Sequence, residues 1–454
     1  MFNQNTDDMD FPDSNQSRRD FVKKSTLLAG SLVAAPLLSN AGYFTSVDDT
    51  IKIALVGCGG RGTGAAMQAL LTKQNVKLVA MADAFRDRLD ECYSQLMQDD
   101  LSDSAGVAGN VKNKIAVTED TKFVGFDGYK KAIALADVVI LTTPPGFRPI
   151  HFEEAINQGK HVFMEKPVAT DPAGIKKVLD MAQVAKAKKL NVVVGLQRHY
   201  QNSYRELYAR VKDGAIGEIT SGQVWWNNEG VWVKMREPAQ TEMEYQMRNW
   251  YYFNWLCGDH INEQHIHNLD VMNWFKGSYP VKAQGMGGRQ VRTGKEFGEI
   301  YDHHFVEFHY ADGTILNSQC RHIKGTYSIV DEWIVGTKGV VKCASGEITG
   351  KKAYKYDMKK DNNPYQTEHD ELFAALAKGE YKFADAENGA KSTMTAIMGR
   401  MATYSGQVME WDKVLNSGIS LQPAKYAFDA EAPVKPDANG FYPIATPGLT
   451  KYFA

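Results

Sequence analysis

Three groups of residues in this chain have the types and the spacing to do chemistry. The first is the run Gly57, Gly59, Gly60, Arg61 and Gly62, which follows a β-branched apolar stretch and opens a helical one. In that setting a glycine run cradles phosphate. Gly57 permits a tight turn, Gly59 lets backbone approach a pyrophosphate, and Gly62 lets helix and strand pack closely, with Gly60 and Arg61 at the helix N-terminus. Asp83 ends the second apolar run, 21 residues beyond Gly62. A carboxylate there accepts ribose hydroxyls and repels a 2'-phosphate, which selects NAD over NADP. Arg86 and Arg88 follow closely and leave NADP open.

The second group is Glu165, Lys166 and Pro167, at the end of another apolar run. A lysine at the C-terminal end of a strand faces the ligand crevice of an open α/β sheet. The third lies in a helical stretch over 260–275. Glu263 and His267 stand at i and i+4, on one helical face, so the carboxylate can orient the imidazole and raise its basicity. His260, Glu263 or Gln264, and His267 fall at i, i+3/i+4 and i+7, a spacing that also suits a divalent metal and makes His260, Glu263 and His267 a weak candidate set; no metal is assigned. Arg198 and Tyr200 follow the last parallel run and offer hydrogen-bond donors to a ligand or serve the domain junction. His260 and Asn262 are read as further substrate contacts. Trp225 and Trp226 alternate faces if they lie in a strand, one buried and one exposed.

The elements that must position these residues follow from length and pattern. A chain of 454 residues with 43% hydrophobic composition is too long for one core. Apolar runs at 51–56, 76–82, 136–142, 161–165 and 191–196 alternate with helical stretches, which predicts a doubly wound parallel Rossmann sheet over 50–197. The polar insertion 101–114 reads as a surface loop. From 198 to 411 the segments become aromatic-rich, with alternating runs at 303–310, 314–320 and 327–335, followed by helical stretches over 366–378 and 386–411. That predicts an α+β domain with a large, mostly antiparallel, open-faced sheet, helices on one side only. An irregular tail occupies 412–454.

Residues 1–41 read as a targeting segment: Arg18 and Arg19 form a twin-arginine pattern, an apolar stretch covers 25–38, and Ser39, Asn40 and Ala41 suit a signal peptidase. The expected location is therefore periplasmic or otherwise exported, with no stable membrane span after processing. A formal net charge of -2 without like-charge runs gives no nucleic-acid or membrane-binding surface, which points to a small-molecule partner. Five widely spaced cysteines form no ligand comb, and at most one bridge is expected.

The run from Ala136 through Thr143, Pro144 and Pro145, then His151, then Gly159 to Pro167, resembles the Gfo/Idh/MocA family (glucose-fructose oxidoreductase, inositol dehydrogenase and MocA). The similarity extends from about Thr50 to at least Asp270. It implies that Thr143, Pro144, Glu165 and Lys166 border the dinucleotide, that Lys166 relays a proton beside the nicotinamide, and that Pro167 follows a cis peptide. It also places His267 at the catalytic histidine. Glu263 stands where the family usually has aspartate and His265 where it often has glycine, which leaves the reaction type open. The implied activity is hydride transfer between a sugar, sugar derivative or cyclitol and a tightly held NAD. A redox-neutral glycoside hydrolase or lyase working through a transient keto-sugar is the alternative, and a non-enzymatic sensor is disfavoured by Lys166 and His267. Apolar residues on both faces of the second-domain strands, Phe305, Phe308, Ile315 and Trp333 among them, predict a homodimer or homotetramer.

Overall fold

The computed structural model describes residues 49–453, so the expected targeting segment lies outside the described residues. Runs of Val, Ile, Leu and Ala make strands buried on both sides, as a parallel sheet under two helical layers demands. They are β1 (Ile51–Val56), β2 (Val76–Asp83), β3 (Lys122–Val124), β4 (Val138–Leu141), β5 (His161–Met164) and β6 (Val192–Val194). All pair in parallel, in the order β3-β2-β1-β4-β5-β6. The order reverses between β1 and β4, and that reversal opens a crevice at the strands' C-terminal ends.

The insertion 101–114 is not the free surface loop expected from its polarity. Leu101–Ser102 pairs with Ala108–Gly109, and Leu101, Val107 and Val111 are buried. Polar anchors finish the docking: Gln68 donates to Asp103 at 2.5 Å, and Asn363 to the Ala105 carbonyl at 2.8 Å.

The second sheet contains β7 (Ile219–Asn228), β8 (Lys282–Gly288), β9 (His303–His309), β10 (Ile315–His322), β11 (Ile329–Gly336), β12 (Gly339–Lys342), β13 (Glu347–Gly350), β14 (Tyr354–Lys355) and β15 (Met409–Glu410). Their order is β14-β13-β12-β11-β7-β10-β9-β8-β15, antiparallel except for β7 beside β10. The alternation puts Val224, Val306, Phe308, Leu316 and Ile334 under the helices Ile266–Lys276 and Ala386–Ser405, all fully buried. Phe305, Ile315 and Trp333 take the intermediate positions, on the face without helices. Trp225 and Trp226 do point to opposite faces, but both are half-buried, Trp225 against Trp333 and Trp226 against His267.

The chain does not divide as simply as a boundary at 198 suggests. Helix Ala386–Ser405 is buried along nearly its whole length because it lies between the second sheet and helix Pro172–Ala187 of the first domain. Helix Pro364–Ala377 returns to the first domain and packs on helix Gly60–Leu71, with Leu372 and Phe373 in one cluster with Ile53 and Leu55. The tail is irregular yet anchored: Leu421 donates its N–H to Asp171 at 2.8 Å, and Ala432 and Tyr442 are buried in a third cluster beside Tyr252 and Trp255. All five cysteines are buried free thiols, so the one bridge allowed above is absent. No helix among the described residues is long and apolar enough to cross a membrane.

Candidate active site

The glycine loop connects β1 to helix Gly60–Leu71. Gly57 has φ +98°, and a Cβ there would sit 2.5 Å from the Thr143 nitrogen, so only glycine fits. A Cβ on Gly62 would meet the Gly57 carbonyl at 2.0 Å, the close helix-to-loop approach the motif requires. At Gly59 and Gly60, by contrast, a Cβ would meet nothing within 4 Å, because both border a cavity of about 550 Å³. That cavity runs past Arg61, Asp83, Arg88, Thr143 and Pro144 to Trp232 and Trp250. A bare backbone at a helix N-terminus with open space in front of it fits the pyrophosphate of NAD.

Asp83 does two jobs. It accepts N–H bonds from Cys58 at 2.7 Å and Phe85 at 2.8 Å, which shapes the loop, and it borders the cavity. Burial pushes its pKa up against those two bonds. Arg86 is engaged with Asp90 and Glu119, and only Arg88 of the two flanking arginines reaches the cavity. Glu165 lies behind the cavity wall instead of on it. It is paired with Arg61 at 2.5 Å, while Glu368 stands 3.8 Å from the same guanidinium. Its effect on the cofactor side therefore passes through Arg61.

Lys166 follows β5, which neighbours β4 and hence Thr143 and Pro144 across the crevice. The Lys166–Pro167 peptide bond is cis. Its ammonium donates to the Glu263 carbonyl at 2.7 Å and to Glu263 Oε1 at 3.1 Å. The expected pairing of Glu263 with His267 is absent, because the helical stretch is broken: one short helix ends at Glu263 and the next starts at Ile266. The break removes the i, i+4 register and turns the carboxylate toward the lysine. His267 instead stacks on Trp226, ring centroids 5.9 Å apart, with 6% of its surface exposed. Burial, and after it the Lys166 cation, hold its pKa well below the ordinary imidazole range, so it is neutral at pH 7. Its Nδ1 is buried without a hydrogen-bond partner.

The expected substrate contacts are mostly structural. Tyr200 is 4% exposed and donates to Asp385 at 2.8 Å. Arg198 is paired with Glu332 of β11, whose second oxygen accepts from Tyr204 at 2.9 Å. Asn262 is fully buried and donates to the carbonyls of Ala169 and Cys257. His260 is fully buried too, stacked on His322, and so neither contacts the crevice nor joins Glu263 and His267 in a metal set. His265 faces the sheet, its Nε2 2.7 Å from Ser318 Oγ. Sequence reasoning missed Trp226 as the neighbour of His267. It also missed the cavity wall that the second domain supplies, Trp232, Lys234, Met247, Arg248 and Trp250. Arg248 holds that wall to the first domain through Asp87 at 2.9 Å and lies over the Phe85 ring.

Comparison with known proteins agrees with this geometry. A family model described as oxidoreductase family, NAD-binding Rossmann fold, matches residues 51–195, and the GFO/IDH/MocA C-terminal domain matches 204–342. The chain is 25% identical over 224 residues to 2,7-anhydro-N-acetylneuraminate hydratase of Escherichia coli (strain K12), covering 48% of this chain and 54% of that protein, so it spans about half that relative's length. It is 24% identical over 345 residues to inositol 2-dehydrogenase of Rhizobium meliloti (strain 1021), covering 73% and 90% respectively. Scyllo-inositol dehydrogenase from Lactobacillus casei, solved with bound cofactor NAD(H) and scyllo-inositol, has the same fold, with a TM-score of 0.59 at 20% identity over 80% of this chain and 99% of that one. With both domains matched and a glycine cradle shaped for a dinucleotide, the chain belongs to the Gfo/Idh/MocA family and is an NAD-dependent oxidoreductase.

Proposed function

We propose that this protein oxidises a secondary hydroxyl of a sugar, sugar derivative or cyclitol, as an exported enzyme that keeps its cofactor through turnover. The observation that carries the reading is a neutral His267 beside a cationic Lys166 at the crevice of a dinucleotide-binding sheet. NAD, when bound, supplies the hydride acceptor. His267 Nε2 takes the hydroxyl proton, which only a neutral imidazole can do. An ammonium has three N–H donors, and Glu263 occupies two of those on Lys166. The third is free to hydrogen-bond the substrate oxygen and stabilise the negative charge that grows on it. Glu263 is thus a positioning residue that acts through Lys166.

The inositol 2-dehydrogenase relative supports a polyhydroxylated ring as substrate. Arg18 and Arg19 support export, and an exported enzyme has no soluble nicotinamide pool to exchange with, hence the retained cofactor. A homodimer, or a dimer of dimers, is proposed through the helix-free face of the second sheet, where Met286 is 72% exposed and Phe305, Trp225 and Trp333 are partly so. The second reading, a redox-neutral hydrolysis or elimination, is favoured by one observation: a relative over 48% of the chain is a hydratase. Mass spectrometry for co-purifying dinucleotide, with glycosides and cyclitols then screened by reduced-nicotinamide absorbance and product analysis, tests both. A ketone or lactone supports oxidation, and a cleaved or eliminated glycoside supports the alternative. Unchanged substrates with bound cofactor would refute both.

A further inference from the structure

Behind the helix that carries Glu263 lies a group of buried imidazoles that the mechanism does not use. His260 is fully buried, and neither of its ring nitrogens has a hydrogen-bond partner. His304, on β9, has a fully buried Nε2 that faces the Asp259 carboxylate. The Asp259 carboxylate lies between them, its Oδ2 3.2 Å from His304 Nε2 and its Oδ1 3.8 Å from His260 Nε2. One ligand atom from each of the three residues falls within 4.8 Å of the others. Unmet nitrogens in a dry interior are costly, and buried polar groups are as a rule satisfied.

We infer that Asp259, His260 and His304 bind a divalent transition-metal ion, with zinc as the best match. Two ligands about 2.1 Å from a tetrahedral zinc stand roughly 3.4 Å apart, close to the separations found here. Two imidazoles and one carboxylate suit zinc or iron, whereas calcium and magnesium take all-oxygen sets. The supporting contacts that such a site needs are in place. His304 Nδ1 is 2.9 Å from Thr403 Oγ1, which aims Nε2 at the ion position. The Tyr301 N–H at 3.0 Å and the Tyr404 hydroxyl at 2.6 Å fix the carboxylate. The site is closed to solvent and joins the helix His260–Glu263 to β9, so the ion is structural. It would fix the segment from which Glu263 holds Lys166.

The test is metal analysis of the full chain as purified, before and after exposure to a strong chelator. About one equivalent of zinc or another first-row transition metal per chain is expected, with a lowered Tm after chelation that added Zn2+ restores. His304→Ala and Asp259→Asn should lose the metal. His303→Ala, altered next to the site on the strand but on its opposite face, should keep it. Where the site variants do not fold, Co2+ in the chelated wild type decides: visible ligand-field bands of a low-coordinate N/O site support the inference. Wild type that is purified without metal and takes up neither Zn2+ nor Co2+ overturns it, as does a folded His304→Ala that keeps a full equivalent.

Discussion

Lys166→Met separates the two contributions that hold His267 neutral. Burial is the larger and the lysine cation the second, so the variant retains one and loses the other. The active form of His267 is the deprotonated one, and activity is therefore present above its folded pKa and lost below it. In the wild type that pKa lies well below 6.5, so kcat/KM should stay flat through pH 6.5 and fall only in more acid solution. A unit charge at close range moves a neighbouring group by about 1 to 3 pH units, each worth about 1.4 kcal/mol. Removing the cation should accordingly move the acid limb to higher pH. Turnover on the plateau should drop by about a hundredfold or more, from loss of the donor to the substrate oxygen. The assay is the pH profile of kcat/KM for both proteins, with dinucleotide binding checked in parallel. A wild-type limb at or above 6.5, or an acid limb at the same pH in both proteins, would refute the reasoning.

His267→Ala should also lower turnover by about a hundredfold or more while leaving dinucleotide binding largely intact; near-normal turnover would remove it from the mechanism. Gly62→Ala drives a methyl to 2.0 Å from the Gly57 carbonyl, so calorimetric titration should show dinucleotide affinity lost, and unchanged affinity would contradict the cradle. Asp83→Ala should weaken NAD more than NADP; tighter NADP binding by the wild type would hand the ribose end to Arg88. Burial pushes the Glu332 carboxyl up to about 7, so its contribution to stability is present below about 4.5 and is lost as pH rises through 7. Melting temperatures of the wild type should thus fall between pH 5 and 7 relative to Glu332→Gln, and parallel curves would count against that shift. Light scattering at micromolar concentration should give a dimer or larger, and a clean monomer excludes assembly through the open sheet face.

The first domain was legible because its signals are local. A glycine run between strand and helix, with an acid at the end of the next strand, is specified by neighbouring residues, and the parallel strands read as unbroken apolar runs. The three-residue β3 was not visible, since its residues are partly exposed and carry no pattern. The site was legible as residues but not as partners. Glu263 and His267 have helical spacing, and only the backbone break at Gln264 and His265 sends the carboxylate to Lys166. Tyr200 and Asn262 look like ligand donors until the chain brings Asp385 and the Ala169 carbonyl to them from 185 and 93 residues away. The insertion 101–114 failed for a similar reason: its apolar residues are few, and the surface they bury against belongs to other elements.

The return of the C-terminal region to the first domain sets an order on biogenesis. Phe85 and Phe126, both on the cavity wall, lean on Phe428 at 5.2 and 4.9 Å, and Phe147 leans on Tyr426 at 5.4 Å. Helix Pro364–Ala377 closes the face of the sheet behind the glycine loop. A ribosome that has delivered only the Rossmann half has therefore delivered a groove without its backing. The cavity wall is therefore complete only once nearly the whole chain has emerged, so the pocket in its finished form is a product of late folding.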